Sequence, residues 1–426
     1  MSESAIDPPG YRSRVVDQQV TRLLNSFGGL LIEGPKWCGK TWTGRHHASS
    51  AVYVDDEDMP TVAALAPGEV LAGQHPRLVD EWQDAPVLWD KARRIIDDTP
   101  DKGLFIFTGS AVPPRNATRH SGTGRFARLR MRPMSLYESG DSSGEVSLAS
   151  LLRGETIKPT RSGMTYKKAC WLISRGGWPA TLGLPQDQAL DLPGQYLGAV
   201  AETDLERVDG VARDPRKVQS LLRSLARHSA TTTKLNVIHS DTAAQEDQRS
   251  TVSLASVKTY LAALERLFVV DDLPAWRYSL RSRTQLVVSA KRHLVDPSLA
   301  VAALGADPDS LLYDVKTGGL LFESLCARDL RVYAQAGQGD VFHYRDAKGL
   351  EVDAIVTGKG NKWGAVEVKL GSTQVDKAVL SLLRLKGKLA QSAPEPSFLM
   401  VLVASGGVAH TRDDGVHVVP IDCLGP

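Results

Sequence analysis

Residues 29–41 read GLLIEGPKWCGKT: an apolar run, then Gly34, four residues, and the triplet Gly39-Lys40-Thr41. This is the GxxxxGK[ST] spacing of a phosphate-binding loop. The surroundings agree with it, because Leu30 to Glu33 predict a short buried strand and the residues after Thr41 predict the opening turn of a helix. Each position has its own task. Gly34 and Gly39 let the backbone turn tightly enough for its N–H groups to face phosphate oxygens, and Pro35, Lys36, Trp37 and Cys38 complete the loop. Lys40 offers a cation to the β- and γ-phosphates of a nucleotide, and Thr41 offers a hydroxyl to Mg²⁺. A chance glycine loop joining a strand to a helix is the bland alternative, and the matching strand and helix on either side weigh against it.

A site of this kind needs an acidic residue at the end of a neighbouring strand to hold the metal, and Pro76-Arg77-Leu78-Val79-Asp80-Glu81 supplies one. Asp80 is expected on Mg²⁺, directly or through water, and Glu81 is expected to polarise the attacking water as general base. An Asp-Glu pair after two aliphatic residues is common, and it gains weight only by following the glycine loop. Residues 104–111, LFIFTGSA, predict a third strand ending in Thr108, Gly109 and Ser110. A hydroxyl here, with Ser110 against the nucleotide, can orient water near the γ-phosphate; a strand followed by an ordinary turn fits equally well.

Composition sets the frame around this motif. With 426 residues, the chain suggests two to four domains at roughly 100 to 200 residues each. Hydrophobic residues make up 42% and charged residues 23%, which excludes disorder as a global state. Lys plus Arg is 51 and Asp plus Glu is 49, so any nucleic-acid affinity must come from local patches rather than whole-chain charge. No apolar run approaches the ~20 residues that span a bilayer, and the start, MSESAIDPPG, lacks the features of a signal peptide, so a cytoplasmic protein without membrane contact is expected. Cys38, Cys170, Cys326 and Cys423 lie far apart and form no CxxC pair, which argues for reduced thiols over zinc or disulfides.

Downstream comes an arginine-rich stretch, RHSGTGRFARLRMR from Arg119 to Arg132, continued by PMSLYE. The succession GPKWCGKT, LVDEWQ, FTGSA, SGTGRFARLRMRPMSLYE resembles the AAA-type P-loop ATPases of bacteria and archaea that carry a C-terminal domain of unknown function, of the 4143 type. The resemblance implies that the glycine-flanked Arg125 is a finger reaching a γ-phosphate, in its own or a neighbouring subunit; a solvated basic strand or a phosphate-backbone patch is the alternative. It continues through Gly177-Trp178-Pro179 and through Tyr196 to Asp204, where it points to no particular chemistry.

After Glu138 the stretch SGDSSGEVSLASLLRG is polar and turn-rich and reads as a surface excursion. RKVQSLLRSLARHS (216–229) and SLASVKTYLAAL (253–264) predict amphipathic helices, the second with Ser253 as N-cap, and the polar TAAQEDQRST between them predicts a loop. Leu267 to Val270 and the arginine-rich run from Trp276 to Arg283 predict a hairpin. Helix, helix, ribbon is a winged-helix order, and the family resemblance implies a winged-helix-like segment here. Lys258, Arg277, Arg281 and Arg283 are candidate DNA-phosphate contacts, although winged helices also serve as packing or dimerisation modules.

The C-terminal region carries a second constellation. Glu323 lies in an apolar helix; Phe342 to Arg345 and Leu350 to Val356 predict a hairpin, and Trp363 to Lys369 a third strand. Strand side chains repeat every two residues, so Glu367 and Lys369 fall on one face. This is the layout of the PD-(D/E)xK nuclease fold, in which Asp353 and Glu367 hold Mg²⁺, Lys369 activates water, and Glu323 completes the metal's shell. A carboxylate-lysine cluster kept as a structural network fits the same residues.

The expected architecture is therefore α/β: an AAA-like P-loop ATPase domain over 1–150, a helical and winged-helix-like domain over 151–295, and a restriction-endonuclease-like domain over 296–426. The expected ligands are ATP and Mg²⁺, with DNA as the principal partner class and a homo-oligomer or a protein partner also compatible. Three readings follow: an ATPase that acts on or senses DNA, a nucleotide-state switch with an inactive nuclease-like scaffold, and an ATP-gated Mg²⁺-dependent endonuclease.

Overall fold

The computed structural model describes residues 6–112, 120–243, 252–277 and 289–426. Arg119, Arg281 and Arg283 lie outside the described residues, as does most of the expected loop at 242–251. Contacts divide the chain into two compact units. The first comprises Met1–Pro133 with the short segments Asp204–Ala212 and Ala262–Val269; the second takes Met134–Thr203, Arg213–Leu261 and Val270–Pro426.

In the first unit, five parallel strands form one sheet: β1 (Gly29–Glu33), β2 (Ser50–Tyr53), β3 (Arg77–Asp80), β4 (Phe105–Gly109) and β5 (Phe126–Arg130), in the order β2-β3-β4-β1-β5. β1 is covered on both faces, which is why its sequence is a continuous apolar run and not an alternation. Leu30 and Ile32 pack with Val20, Leu78 and Ile106, while Leu31 faces the opposite cluster of Trp82, Trp89, Phe105, Phe107 and Phe126. Such a parallel sheet, with the glycine loop leaving a central strand, is consistent with the expected P-loop ATPase fold. The later segments of this unit dock onto it: Val112 N donates to Arg266 O at 3.0 Å, Arg266 donates to Val112 O and Val208 O, and Arg130 stacks over Phe268 at 5.1 Å.

The second unit is built on a seven-stranded mixed sheet. Its strands are β7 (Thr160–Arg161), β8 (Val341–Arg345), β9 (Glu351–Thr357), β10 (Trp363–Lys369), β11 (Phe398–Val403), β12 (Val408–Thr411) and β13 (His417–Pro420), in the order β7-β12-β13-β11-β10-β9-β8. A two-residue β6 (Val146–Ser147) pairs separately with β14 (Leu424–Gly425). β8, β9 and β10 form an antiparallel meander, and β10 runs parallel to β11 through the crossover helix Val375–Leu389. The helix Val315–Ala336 precedes the meander and is buried along most of its length.

Two local expectations change. Residues 139–154 are no surface excursion: Leu148, Leu151 and Leu152 sit at helical spacing in the helix Leu148–Arg153 and are buried, and the unit boundary falls at Pro133. The amphipathic helices form over Pro215–Arg227 and Leu254–Arg266. The ribbon after them pairs, among the described residues, with 291–294, since Val270 bridges to Leu294 and Leu273 to Lys291; of the expected run 276–283 only Trp276 and Arg277 are described. The apolar run that ends in Val270 looked like a strand; instead Phe268 takes a φ of 58°, incompatible with an extended chain.

The motif Arg175-Gly176-Gly177-Trp178-Pro179 has a structural task within the second unit. Trp178 is buried and donates from Nε1 to Ser298 Oγ at 2.9 Å, and Gly177 N donates to Asp296 Oδ2 at 3.0 Å. Asp296 in turn pairs with Arg328 at 2.8 Å, and Arg328 also pairs with Asp329 at 2.7 Å; all three side chains are 3% exposed or less. Asp329 accepts from Leu136 N at 2.9 Å.

Candidate functional site

The glycine loop sits at the carboxyl end of β1 and runs into the helix Lys40–His47. Two of its glycines are required by geometry. A Cβ on Gly34 would lie 2.2 Å from the carbonyl oxygen of Met131, and Gly39 adopts a φ of 101°. Lys40 is buried and donates from Nζ to Pro35 O at 2.8 Å, directing its ammonium into the curl of the loop. Cys38 is buried beneath the loop, while Trp37 is half exposed.

The acidic partners arrive as the spacing predicts. Thr41 Oγ1 donates to Asp80 at 2.9 and 3.1 Å, so a hydroxyl and a carboxylate from the ends of two elements meet at one point. Hard oxygen donors of this kind fit Mg²⁺. Thr108 Oγ1 also donates to Asp80. Burial raises the Asp80 pKa, the Thr108 and Thr41 hydroxyls oppose that, and the neighbouring Glu81 charge adds to it. Glu81 has a left-handed backbone, φ 51°, which turns its side chain away from the path of β3. Its carboxylate accepts from Ser110 Oγ at 3.0 Å and from Gln83 Nε2. Gly34 to Thr41, Asp80, Glu81 and Ser110 are thus brought to one end of the sheet.

Arg125 is not brought there. It precedes β5, whose first residue pairs with Gly29 and whose last pairs with Glu33. Because the loop follows Glu33, Arg125 lies at the far end of a five-residue strand, roughly 16 Å away at ~3.3 Å per residue. There its guanidinium pairs with Asp97 at 2.7 Å. An arginine side chain cannot cover that span, so Arg125 does not serve the loop of its own chain.

Other residues grip the loop that the sequence reading passed over. Arg14 donates to Cys38 O at 2.7 Å and to Arg132 O at 2.9 Å. Lys36 pairs at 2.6 Å with Asp204, a buried carboxylate in the one-turn π-helix Val200–Asp204. π-turns concentrate at functional positions. No local pattern marks either partner; Asp204 was visible only as the end of the family-like stretch.

In the second unit, Glu323, Asp353, Glu367 and Lys369 do converge. Lys369 Nζ lies 2.6 Å from Glu367 and 3.4 Å from Asp353, whose Oδ2 also accepts from Val368 N at 2.9 Å. The unexpected member is Lys291. It is 1% exposed, and its ammonium lies 2.6 Å from Glu323, 3.3 Å from Glu351 and 3.4 Å from Asp353. Burial depresses a lysine pKa, but three carboxylates outweigh it and hold Lys291 charged. Asp353 keeps its charge against burial because Lys291 and Lys369 flank it, whereas Glu323, buried beside Asp353, is pushed up to about 8. A cleft of about 670 Å³ opens beside Asp353, Glu367 and Lys369, with Lys348, Lys377 and Arg384 exposed on its lining.

The raised Glu323 pKa has a sign that can be checked. A carboxyl that is protonated up to about 8 when folded, against an ordinary 4.5, binds more protons in the native state, so its contribution to stability falls as pH rises from 4.5 to about 8. Denaturant unfolding at several pH values should show that slope, and Glu323→Gln should flatten it; an unchanged slope would place the titration elsewhere.

Three family models match the chain: an AAA domain over residues 27–140, a domain of unknown function (DUF8612) over 168–310, and a domain of unknown function (DUF4143) over 318–424. No curated protein matches it. Among solved structures, the Walker-type ATPase PABY2304 of Pyrococcus abyssi is similar at 10% identity and a TM-score of 0.41, over 70% of this chain and 99% of that one. The first unit therefore contains an AAA domain, and the C-terminal domain of unknown function is of the expected type. Among the described residues, no helix is long and apolar enough to cross a membrane.

Proposed function

We propose that this AAA-domain chain binds and hydrolyses ATP with Mg²⁺ and that its second unit acts on or senses DNA. The observation that carries the ATPase half is the junction of Thr41 with Asp80 beside the Glu81–Ser110 pair, at the mouth of a loop whose lysine points inward. In this reading Lys40 and the loop N–H groups hold the phosphates, and Thr41 and Asp80 hold the metal, which neutralises phosphate charge. Glu81, oriented by Ser110, accepts the proton of the attacking water. Lys40→Ala should abolish binding of a fluorescent ATP analogue and Thr41→Ala should abolish turnover; unchanged affinity in the Lys40→Ala protein would remove the phosphate-loop assignment.

The remoteness of Arg125 from its own loop favours the reading in which it acts in a neighbouring subunit. If it completes a neighbour's site, mixing inactive Lys40→Ala protein with Arg125→Ala protein restores ATP turnover, because some interfaces then join an intact loop to an intact arginine. Absence of rescue with exchanging subunits would leave Arg125 a purely structural partner of Asp97.

Support for DNA comes from exposed basic side chains: Lys258 and Arg277 in the winged-helix-like segment, and Lys348, Lys377 and Arg384 at the C-terminal cleft. The αβββαβ succession from the helix Val315–Ala336 to β11 supports a nuclease-like fold for residues 296–426. A chain of three parts is supported by the three successive family matches, over 27–140, 168–310 and 318–424. Phosphate contacts release counterions, so duplex DNA binding should weaken steeply with salt. The Lys291 cluster favours a second reading, in which nucleotide state is passed to a binding surface and the nuclease-like domain is a scaffold.

A further inference from the structure

The nuclease-like layout calls for a divalent cation among Glu323, Asp353 and Glu367, and the donor set does not offer it a place. Mg²⁺ takes an octahedron of oxygens at about 2.0–2.1 Å and tolerates little distortion. Here four of the six carboxylate oxygens, including both of Asp353, already face a donor. Glu323 Oε1 and Asp353 Oδ1 face Lys291, Asp353 Oδ2 faces the Val368 amide and Lys369, and Glu367 Oε2 faces Lys369. The two ammonium groups bring the positive charge that one divalent ion would bring.

Lys291 is built in. Its backbone N–H and carbonyl exchange hydrogen bonds with Leu273, both at 2.8 Å, in an antiparallel bridge that fixes where the side chain starts. His293, two residues on, is buried and bonded at 3.0 Å to Ser324, on the same helix as Glu323. Withdrawing the ammonium would take from Glu323 its cation at 2.6 Å and leave Asp353 with Lys369 alone, a cost that a largely buried charge cluster imposes whenever one partner is removed.

We infer that Lys291 is the resident cation of this cluster and that it keeps divalent metal out, so the second unit carries out no metal-dependent phosphodiester cleavage. The inference rests on reading the cluster as a nuclease-like cation site, and it is independent of the ATPase assignment. What then remains for the cleft is contact with a polyanion through Lys348, Lys377 and Arg384, without chemistry on it.

The test is Mn²⁺ titration of the nucleotide-free, full-length protein, following free Mn²⁺ by electron paramagnetic resonance. Wild type is expected to bind no ion that Asp353→Asn removes. Lys291→Ala is expected to gain one Mn²⁺ site, lost again in the Lys291→Ala/Asp353→Asn double variant, and its melting temperature is expected to rise when Mn²⁺ is added. Asp353-dependent Mn²⁺ binding by wild type overturns the role of Lys291 and leaves the metal-nuclease reading standing. A folded Lys291→Ala protein that binds no Mn²⁺ shows instead that the cluster is no cation site, and the nuclease-like reading falls with the inference. If Lys291→Ala does not fold, the wild-type comparison with Asp353→Asn still decides.

Discussion

Glu81→Gln protein binds ATP and Mg²⁺ and turns ATP over roughly 10²- to 10⁴-fold more slowly than wild type, the span usual for loss of a positioned general base. The substitution is close to isosteric, leaves the Thr41–Asp80 pair at 2.9 Å untouched, and preserves an acceptor for the Ser110 hydroxyl. What it removes is the carboxylate's capacity to take a proton. Gln83 sharpens the expectation: its amide donates to the Glu81 carboxylate, so the base is held in place by two donors in addition to its left-handed backbone. Equilibrium binding and steady-state hydrolysis measured on the same preparation separate the two effects. Turnover at the wild-type rate would move the base to another residue; loss of binding would mean that Glu81 shapes the pocket.

The second large effect is on stability. Arg328→Ala removes the one cation shared by Asp296 and Asp329, both fully buried, and should lower unfolding free energy by about 3–5 kcal/mol, the usual cost of breaking a buried pair from one side. The loss should spread, because Asp296 also holds the Gly177 amide and Asp329 holds the Leu136 amide. Urea denaturation followed by tryptophan fluorescence reports it directly, since Trp178 packs against this network through Ser298. A loss below about 1 kcal/mol, the range of surface pairs, would mean that water reaches Arg328 in solution.

The phosphate loop and its acidic partners were legible because their information is local: strand, glycine spacing and helix lie within a few residues of each other, and β3 announces itself by aliphatic residues before Asp80. Glu367 and Lys369 were legible for a similar reason, since the two-residue period of β10 puts them on one side whatever the rest of the chain does. Arg125 shows where this fails. A glycine-flanked arginine says nothing about which end of a sheet it will occupy; that follows from strand order and register. Lys291 fails more completely, because a lysine in a polar neighbourhood reads as solvated, and only the convergence of Glu323 from one later helix and of Glu351 and Asp353 from β9 makes it buried. Asp204 was missed likewise, being remote in sequence from Lys36.

The first unit is assembled from three pieces of chain, ending at Pro133, Ala212 and Val269. During synthesis its sheet can form early, yet Asp204, Arg266 and Phe268 emerge only later. The last piece ends 136 residues after the first (269 minus 133), a delay of roughly 7 to 27 s at about 5–20 residues per second. Until Asp204 is made Lys36 lacks its buried counter-ion, and until Arg266 is made Val112 lacks its partner there. A nascent chain, or a fragment cut after residue 140, therefore displays the whole glycine-loop motif on an incomplete body, and the three-piece unit is complete only when the polypeptide has passed Val269.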